Sequence, residues 1–442
     1  MNEQSKRRWF RLRLRTWVVL ACAGAVLGHL AWYARWKVTL ERVKHEIAAR
    51  GEPVVMRDLP RATQSEAAAA ARFFTICERL PRTLPQNLET TLHANPPTLA
   101  ADAEEIRALV EANRAAVTEI VELAHQGELH FPHDFDGRSG FAIPLPECDR
   151  LNVVQRLLTA QALLELDAHD STSLFATILD KLAVADLLRR EEFLVGQLAR
   201  ARDIDQTLDL LQMALAEAAP AATTCDALDR RLAALDVATR LATAVRAERA
   251  TMLTMMENIG SPEVRQLAEM ISSIGSGSHL VPGANAKCRY WGSPLYRPRL
   301  LEQQRWLLVT LGELADTIDD VGPAAQRRFT DQVVQAKKQL QSRPVVAWMF
   351  PATEQGRERM LSVRQRLTAA RLGLRARAYF DAHGALPDSL DQLYDEQLDK
   401  PVGLLTGQPL NLARTSNQAS FFDVAAAGEH FGEFTVTTSN SR

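Results

Sequence analysis

LNVVQRLLTAQALLELDAHDSTSLFATILDKLAVA, residues 151–185, is the stretch that decides the fold. Leu151, Val154, Leu158 and Ala162 recur at helical spacing, and so do Leu174, Ile178, Leu182 and Ala185. Each set makes one apolar stripe on an α-helix. Between them, Asp167-Ala-His-Asp-Ser-Thr-Ser173 is polar and rich in N-cap residues. The pattern predicts an antiparallel helical hairpin. Its length is near that of a tetratricopeptide unit, but the diagnostic Trp, Gly, Tyr and Pro positions are missing. The expectation is therefore a helical bundle or an irregular α-solenoid.

The same composition extends outward. From about residue 62 to 340 the chain is rich in Ala, Leu, Arg and Glu, which all favour helix. Two stretches interrupt it. His130 to Pro146, HFPHDFDGRSGFAIPLP, is dense in Pro, Gly and aromatics and reads as a loop. Ser272 to Pro298, with Gly275-Ser-Gly-Ser-His279, Pro282-Gly283 and Gly292-Ser-Pro294, reads as a mobile surface loop.

After Pro351 a last long helix is expected to run to about His383, with Met360, Val363, Leu367, Ala370, Leu374 and Ala378 on one face. Gly384-Ala-Leu-Pro387 stops it. Pro409 to Ala413, Ala419 to Ala425 and Glu433 to Val436 read as short strands. This end reads as a helix packed on a small antiparallel sheet.

Toward the N-terminus, Thr16 to Ala34, TWVVLACAGAVLGHLAWYA, carries no Asp, Glu, Lys or Arg. About nineteen residues at ~1.5 Å rise span ~28 Å, close to the hydrocarbon thickness of a bilayer. Trp17 at one end, and Trp32, Tyr33 and Trp36 at the other, suit the headgroup region. A cleaved signal peptide fits less well. The apolar core is long, and the triplet Ala21-Cys22-Ala23 falls inside it rather than at its outer end. Val19-Leu20-Ala21-Cys22 has too little apolar sequence before Cys22 for a lipoprotein site. The expectation is an uncleaved single-pass anchor in a bacterial inner membrane. Lys6, Arg7, Arg8, Arg11, Arg13 and Arg15 place the short tail in the cytoplasm and export the body to the periplasm. Basic residues on the outer flank, Arg35, Lys37, Arg42, Lys44 and Arg50, weaken that contrast.

One face of this segment is small: Ala21, Gly24, Ala25 and Gly28. Gly24 and Gly28 form a GxxxG, which lets two helix backbones approach closely. The face continues through Trp32, Trp36, Leu40, Val43 and Ile47. This stripe suits a homodimer seam, or packing of Leu40, Val43 and Ile47 on the chain's own body. Gly51-Glu-Pro53 ends the helix.

The organisation read from these patterns is a basic tail (1–15), an anchor (16–34), a juxtamembrane helix and linker (35–61), a helical domain (62–350), an α+β module (351–437) and a tail (438–442). A hydrophobic content of 46% supports a conventional core. The net charge of −2 argues against a broad nucleic-acid surface. Outside the anchor, Cys77, Cys148, Cys225 and Cys288 show no CxxC spacing; disulfides are allowed in an exported body, with no pairing legible.

Tyr379, Gly384, Leu386, Pro387, Ser389, Leu390, Leu393, Leu398, Pro401, Thr406, Gly407, Pro409, Leu410 and the pair Phe422-Asp423 resemble the C-terminal end of pseudopilin-like domains. The pattern there is a helix, then G-x-P-x-S-L-x-x-L, then a T-G-x-P-L turn and strands. Gly51-Glu-Pro-Val54, Phe131-Pro132, Leu295-Tyr-Arg-Pro298 and the anchor also resemble exported single-anchor proteins of planctomycete and verrucomicrobial bacteria. The resemblance implies an exported helical body with a small α+β end, and implies no activity. The acid expected before the turn proline is replaced by Lys400, which removes an expectation of calcium there. The Gly–Phe–Glu processing signal of a pseudopilin is absent.

Chemistry-bearing residues are sparse. His125, His130, His133, Asp134 and Asp136 lie close together and suit a divalent metal, with Glu122 and His125 on one helix face. A second Glu-x-x-His is missing, and Asp134-Phe-Asp136-Gly137 lacks the rest of a calcium loop. Ser276, Ser278 and His279 sit in a Gly-Ser stretch rather than a nucleophile elbow. The arginines 357, 359, 364, 366, 371, 375 and 377 make the last helix basic. They suit an anionic partner, or pairing with Asp388, Asp391, Asp395 and Glu396. The expected function is a non-enzymatic, membrane-anchored interaction or scaffold protein without cofactor, bound to a protein partner and not to nucleic acid. Alternatives are a pilus-type assembly component and a metal-dependent hydrolase using residues 125–136.

Overall fold

The structure is a computed structural model of the 442-residue chain. It describes residues 3–85, 103–127, 129–136, 143–218, 220–235, 237, 240–266, 284–349, 353–393, 401–415, 417–424 and 430–438, with side chains described outside 3–15, 284–286 and 348–349. The Gly275 to His279 stretch lies outside them.

The protein is mostly α, with a small antiparallel sheet at its C-terminal end. Helix α1 spans Glu3–Ala49 without a break. It ends where Gly51 adopts φ +72° and the amides of Gly51 and Glu52 donate to the carbonyls of Ala48 and Ile47. That left-handed C-terminal turn is why a glycine follows the helix. Helices α2 (Gln64–Cys77) and α3 (Ala103–Gln126) come next. The expected hairpin is α4 (Pro146–Asp167) and α5 (Ser171–Ala185). His169, with φ 53°, turns the chain, and the Asp170 carboxylate accepts from Ser173 N at 3.1 Å to cap α5.

The body continues through α6 (Leu194–Glu217), α7 (Ala222–Ala234), α8 (Leu241–Glu257), α9 (Ala284–Trp291), α10 (Arg297–Thr317), α11 (Pro323–Leu340), α12 (Pro344–Met349) and α13 (Thr353–His383). Strands β1 (Asn411–Arg414), β2 (Gln418–Val424) and β3 (His430–Thr437) pair antiparallel in that order. Asn411 stands opposite Phe422, and Gln418 opposite Thr437, with an irregularity between Phe421 and Asp423. Helix α13 crosses β2 and β3 and packs on α6 and α7. One apolar core therefore runs without interruption from Ala70 to Val436.

The two ends of α1 differ. Trp17, Val18, Val19, Leu20, Val26, Leu27 and Leu30 are more than half exposed. Leu40, Val43 and Ile47 are buried against Leu253 of α8 and Leu301 and Leu308 of α10. The outer half of the stripe thus covers the chain's own body. His29 lies 3.2 Å from the Pro294 carbonyl, and Lys44 donates to Glu257 at 2.7 Å. Beneath the helix end, wholly buried Arg249 donates to Glu52 at 2.8 Å and to the Pro53 carbonyl at 3.1 Å.

Charged groups also bind the helices to one another. Lys181 of α5 is 1% exposed and donates to the Gln155 carbonyl, Gln155 Oε1 and Thr159 Oγ1 at 2.8–2.9 Å. Burial pulls its ammonium down from 10.5 to about 7, against the attraction of Asp203. Between those values the unfolded chain holds the proton and the folded chain has lost it, so stability rises with pH from about 7 toward 10.5. Lys181→Met removes this slope. In urea titrations the wild type is expected to gain on the order of 2 kcal/mol on the variant between about pH 7 and pH 9. A pH-independent difference would overturn the account.

Candidate functional site

The loop 129–136 carries two of the expected histidines into the interior. His133 is packed between Phe135 and Phe193, with ring centroids 5.9 and 5.6 Å away, and its Nε2 lies 3.1 Å from Glu191 Oε2. Glu191 follows the turn after α5, where its Oε1 accepts from the amides of Glu192 and Phe193. Its side chain lies over Gly196 of α6, where an added Cβ would sit 2.0 Å from Glu191 Cγ. Only glycine leaves that approach open. Glu147, in the first turn of α4, completes the group. Ligand-capable atoms of His133, Glu147 and Glu191 all lie within 4.8 Å of one another.

All three side chains are buried. The side chains of His133 and Glu191 are 4% and 1% exposed, and Glu147 is 1% exposed. Burial pushes the Glu147 carboxyl up to about 7, helped by the Glu191 charge. Burial and the same charge push Glu192 up to about 7. For His133, burial opposes the charged ring, but the Glu191 contact outweighs it and holds the imidazole above its usual value. Oε1 of Glu147 and Oε2 of Glu192 have no hydrogen-bond partner among the described residues. His130, 3% exposed, stands 3.6 Å from both Glu66 and Glu192, in ion-pair range but beyond a hydrogen bond. Glu66 itself is held at about 2 by the Thr63 amide and hydroxyl, with Arg190 adding to the effect.

The residues read together from the sequence do not all meet. His125 ends α3 and pairs with Asp180 of α5 at 2.8 Å. Asp136 pairs with exposed Arg61 through two contacts of 2.9 Å, and Asp134 accepts from the Asp136 amide. The expected 125–136 grouping therefore splits, and only His133, with His130 behind it, faces the buried carboxylates. Glu147, Glu191 and Glu192 were not foreseen. Pro146-Glu147 reads as an ordinary helix start, and Arg189-Arg190-Glu191-Glu192 as a solvated charge run. The one available signal was the apolar setting of that run, between Leu187-Leu188 and Phe193-Leu194.

A cleft of about 360 Å³ lies alongside, lined by Ile143, Leu145, Cys148, Phe193, Glu248 and Thr251. No family model, curated protein or solved structure matches the chain. The site is therefore read from its chemistry alone.

The remaining expected positions are elsewhere. Ala21, Gly24, Ala25 and Gly28 are exposed, with nothing within 4 Å of a Cβ at either glycine. Gly384 closes α13, Leu386 and Pro387 are buried, and Leu390 packs on the core. Pro409 bridges to Val402 beside the Thr406-Gly407 turn. Cys77, Cys148, Cys225 and Cys288 are free thiols, and burial raises the pKa of each. Such thiols are poor nucleophiles at neutral pH.

The basic face of α13 is largely spoken for. Arg366 pairs with Asp205 and Asp209 of α6, and Arg371 with Asp229 of α7. Arg357 is buried and donates to the carbonyls of Ile318 and Asp320, with its guanidinium 4.5 Å from the Phe329 ring centre. Of the acids expected as partners, Asp388 pairs with Arg414 instead.

Proposed function

We propose that this protein is a single-pass, membrane-anchored scaffold, whose helical body is held against the membrane surface for interaction with a protein partner. The observation that carries the reading is α1 itself. A sleeve of exposed apolar side chains from Trp17 to Leu30 has no counterpart to cover it among the described residues of the body, and such a surface is stable in lipid. The same helix then enters the body at Leu40, Val43 and Ile47 with no linker between. The basic tail favours a cytoplasmic N-terminus and an exported body. The body's own polar interior ties helix to helix, as expected of a scaffold.

Full-length protein is expected to stay in carbonate-washed membranes, and a variant lacking residues 1–34 to appear in the soluble fraction. Protease added to intact spheroplasts should degrade the body. Release of wild-type body by processing would overturn the anchor, and protection from protease would overturn the orientation. Crosslinking in native membranes through a C-terminal tag should then recover a reproducible partner.

A further inference from the structure

We infer that His133, Glu147 and Glu191 form a binding site for one divalent first-row transition-metal ion, of the Mn²⁺, Fe²⁺ or Zn²⁺ class. The first support is position: a loop, a helix start and a helix junction bring their donor atoms within 4.8 Å of one another in the interior. The second is independent of it. Glu147 is 1% exposed, yet its Oε1 has no hydrogen-bond partner among the described residues, and Oε2 of Glu192, the residue after Glu191, is in the same condition. A buried carboxylate oxygen without a partner is costly, and a cation removes the cost.

Charge points the same way. Glu147, Glu191 and Glu192 are all less than 9% exposed, and the neighbouring Arg190 is paired with Glu66. One imidazole among carboxylates selects transition ions over Ca²⁺ or Mg²⁺, and the lack of thiolate disfavours Cu⁺. His133 Nε2 and Glu191 Oε2 are 3.1 Å apart, a separation that two ligands of one metal adopt with little movement. The ion would pin the loop 129–136, the start of α4 and the α5–α6 junction to one point. Its role would be to stabilise the fold, and a mixed His/Glu set leaves room for a water on the metal.

The test uses the full chain in detergent, stripped with chelator and titrated separately with Zn²⁺ and Mn²⁺. Wild type should bind one equivalent of at least one ion and show a higher melting temperature with it. Glu147→Gln should weaken binding by at least about tenfold. It should also melt no lower than wild type in chelator, because it removes like-charge repulsion. That second readout separates ligand loss from misfolding. His125→Gln, away from the site, should bind as wild type does. The inference is overturned if wild type binds no stoichiometric ion, or if Glu147→Gln binds and is stabilised to the same extent. A cluster neutralised by shared protons alone would give the first of these results.

Discussion

Arg200→Met is expected to destabilise the protein by about 3–5 kcal/mol, the usual cost of removing one partner from a buried ion pair. Arg200 of α6 is wholly buried and donates to Asp186 Oδ1 through Nε at 3.1 Å and Nη2 at 2.6 Å. Asp186 ends α5 and is itself 7% exposed. Its other oxygen accepts from Arg231 of α7 at 3.2 Å, which softens the loss without replacing the contact. Three helices meet at this carboxylate. A methionine fills much of the volume but leaves Asp186 charged and half-satisfied. Urea unfolding followed by helical circular dichroism measures the effect. Adding Asp186→Leu to the variant should recover a large part of the loss, because the stranded charge goes with it. A single variant within about 1 kcal/mol of wild type would show that the pair is replaceable.

Asp423→Ala is expected to cost about 3 kcal/mol and to loosen the turn before β1 selectively, since buried donors left unsatisfied cost about 1–3 kcal/mol each. Asp423, on β2 and 1% exposed, accepts from the amides of Leu405 and Thr406 at 2.8 and 3.3 Å and from Thr406 Oγ1 at 2.7 Å. The carboxylate lies against Gly403, where a Cβ would come within 2.2 Å of it. Sheet and turn are thus joined through one side chain. In Asp423→Ala, amide exchange at Leu405 and Thr406 should accelerate by orders of magnitude, while the interior amides of α5 and α6 keep their protection. Asp423→Asn, which retains one acceptor oxygen, should fall between. Uniform acceleration across the molecule would contradict a local role.

The hairpin at 151–185 was legible because its two stripes obey one period and its turn is chemically distinct from both. The strands were legible to within three residues at each end for a related reason: turn residues bound each run. The Arg-rich face of α13 was legible as a feature, but its partners were not. Asp205, Asp209 and Asp229 are more than 130 residues away and reach α13 only because α6 and α7 fold beside it. Spacing along a helix says nothing about which helix arrives opposite. The buried cluster fails the same way. His133 was visible as a donor, but its companions sit at a helix start and a helix junction, where carboxylates are commonplace. Burial is what makes them unusual, and burial belongs to the packed chain.

The unbroken run of α1 has one more consequence. A helix of 47 residues is about 70 Å long at ~1.5 Å per residue, and its outer quarter is embedded in the body. On the membrane reading, the body moves with α1, so its free tumbling is reduced to rotation about the membrane normal and the tilt of the helix. A linker-tethered domain samples all orientations and a range of heights, and most of its collisions present the wrong face. Here height is set and tilt restricted by the helix, so a partner in the same membrane searches far fewer orientations. Even a weak contact patch would then be met often and correctly, and inserting a flexible segment near Ala34 would slow association without touching the patch.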